Sequence, residues 1–551
     1  MNSLKVKNLY YSLFIIFLST ISLSGQNEDW FLLHGASVNG ANVQSIYENN
    51  LIANPKNKVI VAVLDGGVDA DHEDLKNVMW KNPGEVAGNN KDDDNNGYID
   101  DIYGWNFIGN ASGENVNHDT YEITRQYVSL KKKYEDVNPL NLGKKEKKEY
   151  AKYLTYKKKV ESEYEKSKKD YENLAQQKSF IENFLNMAHA TVGNEMAINS
   201  NSISKLEEEK DNINLQVIGV LKNILESTGK SFKNFEELEN FILDDINQGE
   251  KYYESKYKYG YNPEFDPRSI VNDNFEDKNE KYYGNNDIAG PDAFHGTHVA
   301  GIIGAENNNM IGMDGVSNQV EIMGVRVVPD GDERDKDVAN GIRYAVDNGA
   351  KIINMSFGKG ISPAKKVVDD AVKYAAKKDV LLVHAAGNES SDTDTSANFP
   401  TDQYDRNGFF GKIFGKKQAR NWIEVGALSR VKDENSVATF SNYGQINVDI
   451  FAPGHNIYST APDNNYKNSS GTSMAAPVVA GVAAIIRANF PSLSAEEVKE
   501  ILMVSSDPIK EKVIQPGTED MVNFSKLSVS GGILNAEKAY KLAASRAKGN
   551  S

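Results

Sequence analysis

The sequence predicts an α/β fold: a mostly parallel central sheet with helices on both faces, interrupted by a long helical insertion. Three observations carry that prediction. Continuous apolar runs recur at residues 59–64, 320–328, 351–355, 380–384 and 422–428, each about the length of a strand buried on both faces. Helical patterns stand between or after them, at residues 337–348, 364–378 and 474–489, and strand–helix alternation of this kind builds parallel sheets. Residues 119–281 abandon the apolar runs for Lys, Glu, Tyr and Asn. Their charge and spacing predict long exposed helices, paired like a coiled coil.

Taken in order, residues 1–25 have the layout of a secretory signal peptide. Lys5 and Lys7 precede an apolar run at residues 13–18, and small residues follow at Ser22, Ser24 and Gly25. The run is short for a permanent membrane anchor, so cleavage near Gly25 and export to periplasm, cell surface or medium are expected. No later segment offers the ~20 apolar residues of a span. Residues 26–57 form a short N-terminal segment, and residues 58–118 and 282–545 form the main domain on either side of the insertion. Ser494, with Glu496 and Glu497 in the first turn, starts a helix over residues 494–504.

Composition excludes several classes of function. With 39% hydrophobic and 25% charged residues, a packed core is expected. The net charge of -16 argues against nucleic acid as a partner, which calls for a basic face. The absence of cysteine removes disulfides, thiolate metal sites and a cysteine nucleophile.

Four segments bring chemistry. Asp65 follows a buried strand directly and is followed by Gly66-Gly67, so its carboxylate stands where open α/β sheets carry their sites. His295-Gly296-Thr297-His298-Val299-Ala300-Gly301 opens a small-residue helix. Two histidines three apart can bind a metal, but no third ligand is near and no His-Glu-x-x-His is present, so His298 reads as structural. Asn388 closes the strand segment Ala385-Ala386-Gly387, where a side-chain amide can either form a turn or donate to an oxyanion. Gly471-Thr472-Ser473-Met474-Ala475-Ala476-Pro477 places Ser473 at a helix N-terminus, with Pro477 expected in the first turn. Alone, Ser473 would read as an ordinary cap. Together the four segments supply the nucleophile, base, orienting carboxylate and donors that acyl transfer requires.

In the order Asp, His, Asn, Ser, these segments resemble the subtilisin-like serine peptidases, the subtilases. Val61-Ala62-Val63-Leu64-Asp65-Gly66-Gly67 is similar to the family's aspartate motif, and the segments beginning at His295 and Gly471 to its histidine and serine motifs. The resemblance covers residues 58–118 and 282–505. It implies a subtilisin-like three-layer fold and a serine endopeptidase acting on protein or peptide. Asp65, His295 and Ser473 would form the triad, with Asn388 at the oxyanion. Ser356, Phe357 and Gly358 would form one wall of the pocket for the side chain before the scissile bond, and Ala385, Ala386 and Gly387 the other. Asn398 would replace a small residue on its floor. A narrow processing peptidase fits the same residues. An inactive binding or scaffold protein is the alternative from another class, but it would be expected to have lost a site residue.

Structural calcium is also expected, with no cofactor for catalysis. Asp92, Asp94 and Asn96 alternate before Gly97, with Asp100 beyond. That spacing suits one hard cation, although no glutamate stands at the twelfth position of an EF-hand-like loop. A solvated acidic turn is the plainer reading. A second site is implied by the resemblance at Asp74 and Asn308. Residues 26–57 are short for the family's folding-assisting propeptide.

Overall fold

The computed structural model describes residues 29–33, 35, 37–54, 56–208, 214–405 and 417–549. The expected signal peptide, residues 1–25, lies outside them. The apolar runs become strands because valine and isoleucine pack well on a pleated surface covered on both sides. Seven strands are parallel throughout: β1 (Val59–Asp65), β2 (Gly104–Asn106), β3 (Val320–Arg326), β4 (Ile352–Met355), β5 (Leu381–Ala385), β6 (Trp422–Leu428) and β7 (Ile450–Pro453). Their order across the sheet is β7-β6-β5-β4-β1-β3-β2. Gly532–Ile533 and Asp507–Pro508 extend the β7 edge, the last of these antiparallel.

Each face of the sheet carries its own apolar layer. On one, Val61, Val63, Ile322 and Val425 pack with the helices Phe294–Gly304 and Thr472–Asn489. On the other, Leu64, Val325, Ile353 and Leu382 pack with Asp335–Asp347 and Lys365–Lys377. Among the described residues only Thr472–Asn489 is long and apolar enough to cross a membrane, and 94% of it is buried in this core. β1 lies between β3 and β4, where connections leave in opposite directions. Its carboxyl end therefore opens on a crevice, the position at which such sheets bind ligands.

The chain forms two compact units. One contains Leu142–Asn262 and is helical, built on Lys144–Val192, Leu215–Thr228 and Phe235–Glu254. Along its 49-residue helix the buried positions Tyr153, Val160, Ser167 and Leu174 recur every seventh residue, the spacing of a coiled-coil seam. Tyr164 and Tyr171 lie against Tyr257, and Lys178 pairs with Glu250 at 2.5 Å. Leu185, Ile203, Leu221 and Phe235 close a separate small core.

The other unit contains Glu28–Asn141 and Pro263–Ser551. The two ends of the charged insertion, residues 119–141 and 263–281, therefore cluster with the sheet and not with the rest of the insertion. Buried ion pairs explain why. Asp119 holds Arg334 through two contacts at 2.7 and 2.9 Å. Arg268 pairs with both Asp273 and Asp337 at 2.6 Å, and Lys336 pairs with Asp273 at 2.6 Å and Glu280 at 2.7 Å. Charges this deep need partners on the neighbouring element, which ties both ends of the insertion to residues 334–337.

Candidate active site

Asp65 ends β1 and is 2% exposed. Its Oδ1 accepts the Gly66 N–H at 2.7 Å and lies 2.7 Å from His295 Nδ1. An ionised carboxylate can only accept, so Nδ1 is the protonated nitrogen and Nε2 faces outward as an acceptor. Gly296 makes this approach possible. A Cβ there would stand 2.1 Å from the Gly67 carbonyl oxygen and 3.0 Å from the Asp65 Cβ. Burial favours neutral His295, but the charge and hydrogen bond of Asp65 outweigh it and hold the imidazole above its ordinary pKa.

His298, one turn on, is fully buried, and burial pushes its pKa down to about 4. Its Nε2 meets the Lys467 carbonyl at 3.0 Å, tying the helix to the hairpin of Ile457–Ala461 and Asn465–Ser469. No acidic or histidine cluster of metal-binding geometry includes it among the described residues.

Ser473 is the second residue of the helix Thr472–Asn489. Pro477 is its sixth, so the proline lies beyond the first turn, where the sequence had suggested it would fall. Its missing N–H would have bonded the Ser473 carbonyl, four residues back. The Ser356 hydroxyl supplies that bond at 2.9 Å. In return the Ser473 hydroxyl donates to the Ser356 carbonyl at 3.0 Å. No hydrogen bond joins Ser473 to His295 among the described residues; rotation about the Ser473 Cα–Cβ bond is the movement that would change the hydroxyl's partner.

Asn388 Oδ1 accepts both the Thr472 N–H, at 2.9 Å, and the Thr472 hydroxyl, at 3.1 Å. Its amide orientation is thereby fixed, with Nδ2 left as a donor. A Cβ added to Gly471 would lie 3.5 Å from Asn388 Nδ2 and 3.5 Å from the Ser473 nitrogen. Two donors thus border one small space beside Ser473.

A cavity of about 220 Å³ opens next to Ser473. Ser356, Phe357, Gly358, Ala385, Gly387 and Asn388 line it. Ala386 does not, and packs instead with Leu428, Val437 and Phe451. Asn398 also lines the cavity, and its Nδ2 donates to the Ala385 carbonyl at 3.1 Å. It crowds Gly358, where a Cβ would stand 2.3 Å from Asn398 Oδ1. Four lining residues were not read from the sequence as part of the site: Val328, Gly331, Glu333 and Glu389. Glu333 lies inside the polar run Asp330-Gly331-Asp332-Glu333-Arg334-Asp335, which carries no pattern that separates it from a surface loop.

At the acidic loop, carboxylate oxygens of Glu85, Asp92 and Asp94 all lie within 4.8 Å of one another. Glu85 had no signal in the spacing. Asn96 Nδ2 reaches Asp94 and Asp101, each at 3.1 Å. Asp100 is turned away, its oxygens accepting the N–H groups of Gly88, Asn89 and Asn90. The neighbouring Asp101 is pushed up to about 6, chiefly by burial. At the second loop Asn309, not Asn308, reaches Asp74, donating to it at 2.6 Å. Asp74 also accepts from the Met313 N–H and Tyr466 hydroxyl, and burial raises its pKa. Three carboxylates facing one point suit a hard cation. Asp74 belongs to no such cluster of carboxylates among the described residues.

A carboxylate–imidazole pair at the carboxyl end of β1, and a helix-borne serine bonded to the residue after β4, are groups of the kind that serine hydrolases use. The sequence model of the Subtilase family matches residues 56–525, and the chain belongs to that family. It is 39% identical over 193 residues to the thermophilic serine proteinase of Bacillus sp. (strain AK1), covering 35% of this chain and 42% of that protein. Thermitase of Thermoactinomyces vulgaris is 38% identical over 36% of this chain and 63% of its own length. The cell wall-associated protease of Bacillus subtilis (strain 168) is 36% identical over 44% of this chain and 25% of its own length. The chain therefore spans less than two thirds of each of these relatives.

Proposed function

We propose that this chain is a serine endopeptidase that cleaves protein or peptide substrates through an acyl-enzyme on Ser473. The observation that carries the reading is the 2.7 Å contact of His295 with Asp65 at the end of β1, with Ser473 lining a cavity beside Ser356, the residue that follows the neighbouring strand β4. Ser473 attacks the scissile carbonyl as His295 Nε2 takes its proton. The proton then passes to the leaving amine, and water reverses the sequence to free the acid. Asp65 holds the imidazole in the tautomer that can accept and stabilises its charged form. Asn388 Nδ2 and the Ser473 N–H receive the oxyanion.

An extended substrate would lie along the strand ends, in the manner of an added strand. Calcium at Glu85, Asp92 and Asp94 would neutralise three converging carboxylates and fix their loop. The basic-then-apolar N-terminus and the similarity to a cell wall-associated protease support export. Ser473→Ala should abolish casein hydrolysis and labelling by a fluorophosphonate while leaving the far-ultraviolet circular dichroism unchanged. Full hydrolysis by that variant would end the assignment.

A further inference from the structure

We propose that Glu333 makes this cavity a receptor for a lysine or arginine side chain on the acyl side of the scissile bond. The inference rests on the peptidase reading above and names its substrate class.

Glu333 is 2% exposed and lines the cavity that holds Ser473. Its Oε1 is buried and accepts no hydrogen bond. A buried carboxylate oxygen without a partner is costly and calls for a donor. The acidic groups around Glu333 already have theirs. Asp335 pairs with Lys359 at 2.9 Å, Glu122 pairs with Arg125 at 2.7 Å, and Asp332 accepts the Glu122 N–H at 2.7 Å. Lys359 and Arg125 both reach the Glu333 backbone carbonyl, at 2.6 and 3.3 Å; Lys359 also pairs with Asp335 and Glu122, and Arg125 with Glu122. No ion pair reaches the Glu333 carboxylate among the described residues.

The rest of the lining fits a long cationic side chain. Glu389 stands in the same cavity, and no lysine or arginine lines it among the described residues. Val328 and Phe357 offer apolar surface to the methylene stem, leaving the charged head for Glu333. Asn398, bridging Gly358 and the Ala385 carbonyl, narrows the space against a broad aromatic ring. Burial raises the Glu333 pKa to about 7 despite Lys359, so an incoming cation would find a carboxyl that it can ionise and hold.

Fluorogenic peptides that differ only by lysine, arginine or norleucine, placed in turn at each of the four residues before the scissile bond, test this. At one position kcat/KM for the basic peptides should exceed that for norleucine. Glu333→Gln should cut that advantage about 10- to 100-fold. Norleucine hydrolysis should fall less than hydrolysis of the basic peptides, and fluorophosphonate labelling should persist. A second arm needs no variant. The basic-to-norleucine ratio should fall as pH drops through about 7, because Glu333 then protonates. The His295 titration affects both peptides alike and cancels. The charges that set the Glu333 midpoint are Lys359, Asp332 and Asp335, with Glu122 and Arg125 behind them and Glu389 across the cavity. A wild-type chain that labels and cleaves with no basic preference, or a preference untouched by both Glu333→Gln and pH, overturns the proposal alone. A chain that neither labels nor cleaves overturns the peptidase reading with it.

Discussion

Asp65→Asn should lower kcat by roughly four orders of magnitude, and the structure says which part of the loss comes from which effect. The carboxylate and imidazole are 2.7 Å apart, and the imidazole side chain is 41% exposed. Two unit charges about 4 Å apart attract by about 4 kcal/mol at an effective dielectric of about 20. Solvent reaching the ring cuts that to about 1–2 kcal/mol. Losing it from the imidazolium formed at the transition state slows the reaction about 5- to 30-fold. The remainder has to come from the tautomer. An amide nitrogen at position 65 donates to Nδ1, forces the proton onto Nε2, and leaves nothing to accept the serine proton. The assay is kcat on a chromogenic tetrapeptide, with the thermal midpoint as a check on folding. In the wild type, Asp65 holds His295 above its ordinary pKa. The neutral base is therefore lost as pH falls through that raised value, and the acid limb of kcat/KM should lie above pH 6.5. A folded Asp65→Asn variant that loses less than about tenfold would refute both halves of the reasoning.

Three further outcomes are expected. Asn388→Ala should lower kcat by about 10²–10³ with little change in KM, since in the proposed mechanism the amide serves the oxyanion and not the ground state. Arg268→Met strands Asp273 and Asp337 in a buried setting and should cost about 3–5 kcal/mol in urea unfolding. All four tryptophans lie in the unit that holds the sheet, so their fluorescence reports that unit alone; a loss under about 1 kcal/mol would contradict the ion-pair account. Excess chelator should lower the tryptophan-monitored midpoint, and Asp94→Asn should remove that response; an unchanged midpoint in the wild type would rule out calcium at Glu85, Asp92 and Asp94.

The sheet was legible because a strand covered on both faces writes itself as an uninterrupted apolar run, as at residues 59–64 and 422–428. The pairing of Asp65 with His295 was legible in the candidate site because tight geometry constrains neighbours as well as actors. Gly296 admits the histidine helix to Asp65, and Thr472 orients Asn388. What stayed hidden depends on contacts between distant segments. Glu85 joins Asp92 and Asp94 only once the loop has folded. Glu333 sits in a charged run whose members look alike until their partners are assigned. The ends of the insertion read as solvated for the same reason: Arg268 and Lys336 look like surface residues until Asp273 is found between them.

The proline of the serine helix has a consequence for engineering. A helix normally tolerates small rotations because every carbonyl keeps its own partner along the axis. Here one rung is missing, and the gap is bridged from β4's following residue, Ser356. Replacing Pro477 with alanine would restore the rung and improve the helix by any local measure. It would also give the carbonyl of residue 473 a rival donor and release Ser356 from its grip. The substitution that makes the cylinder more regular would thus loosen one of the two hydrogen bonds that join residue 473 to the wall of the pocket, and leave the other.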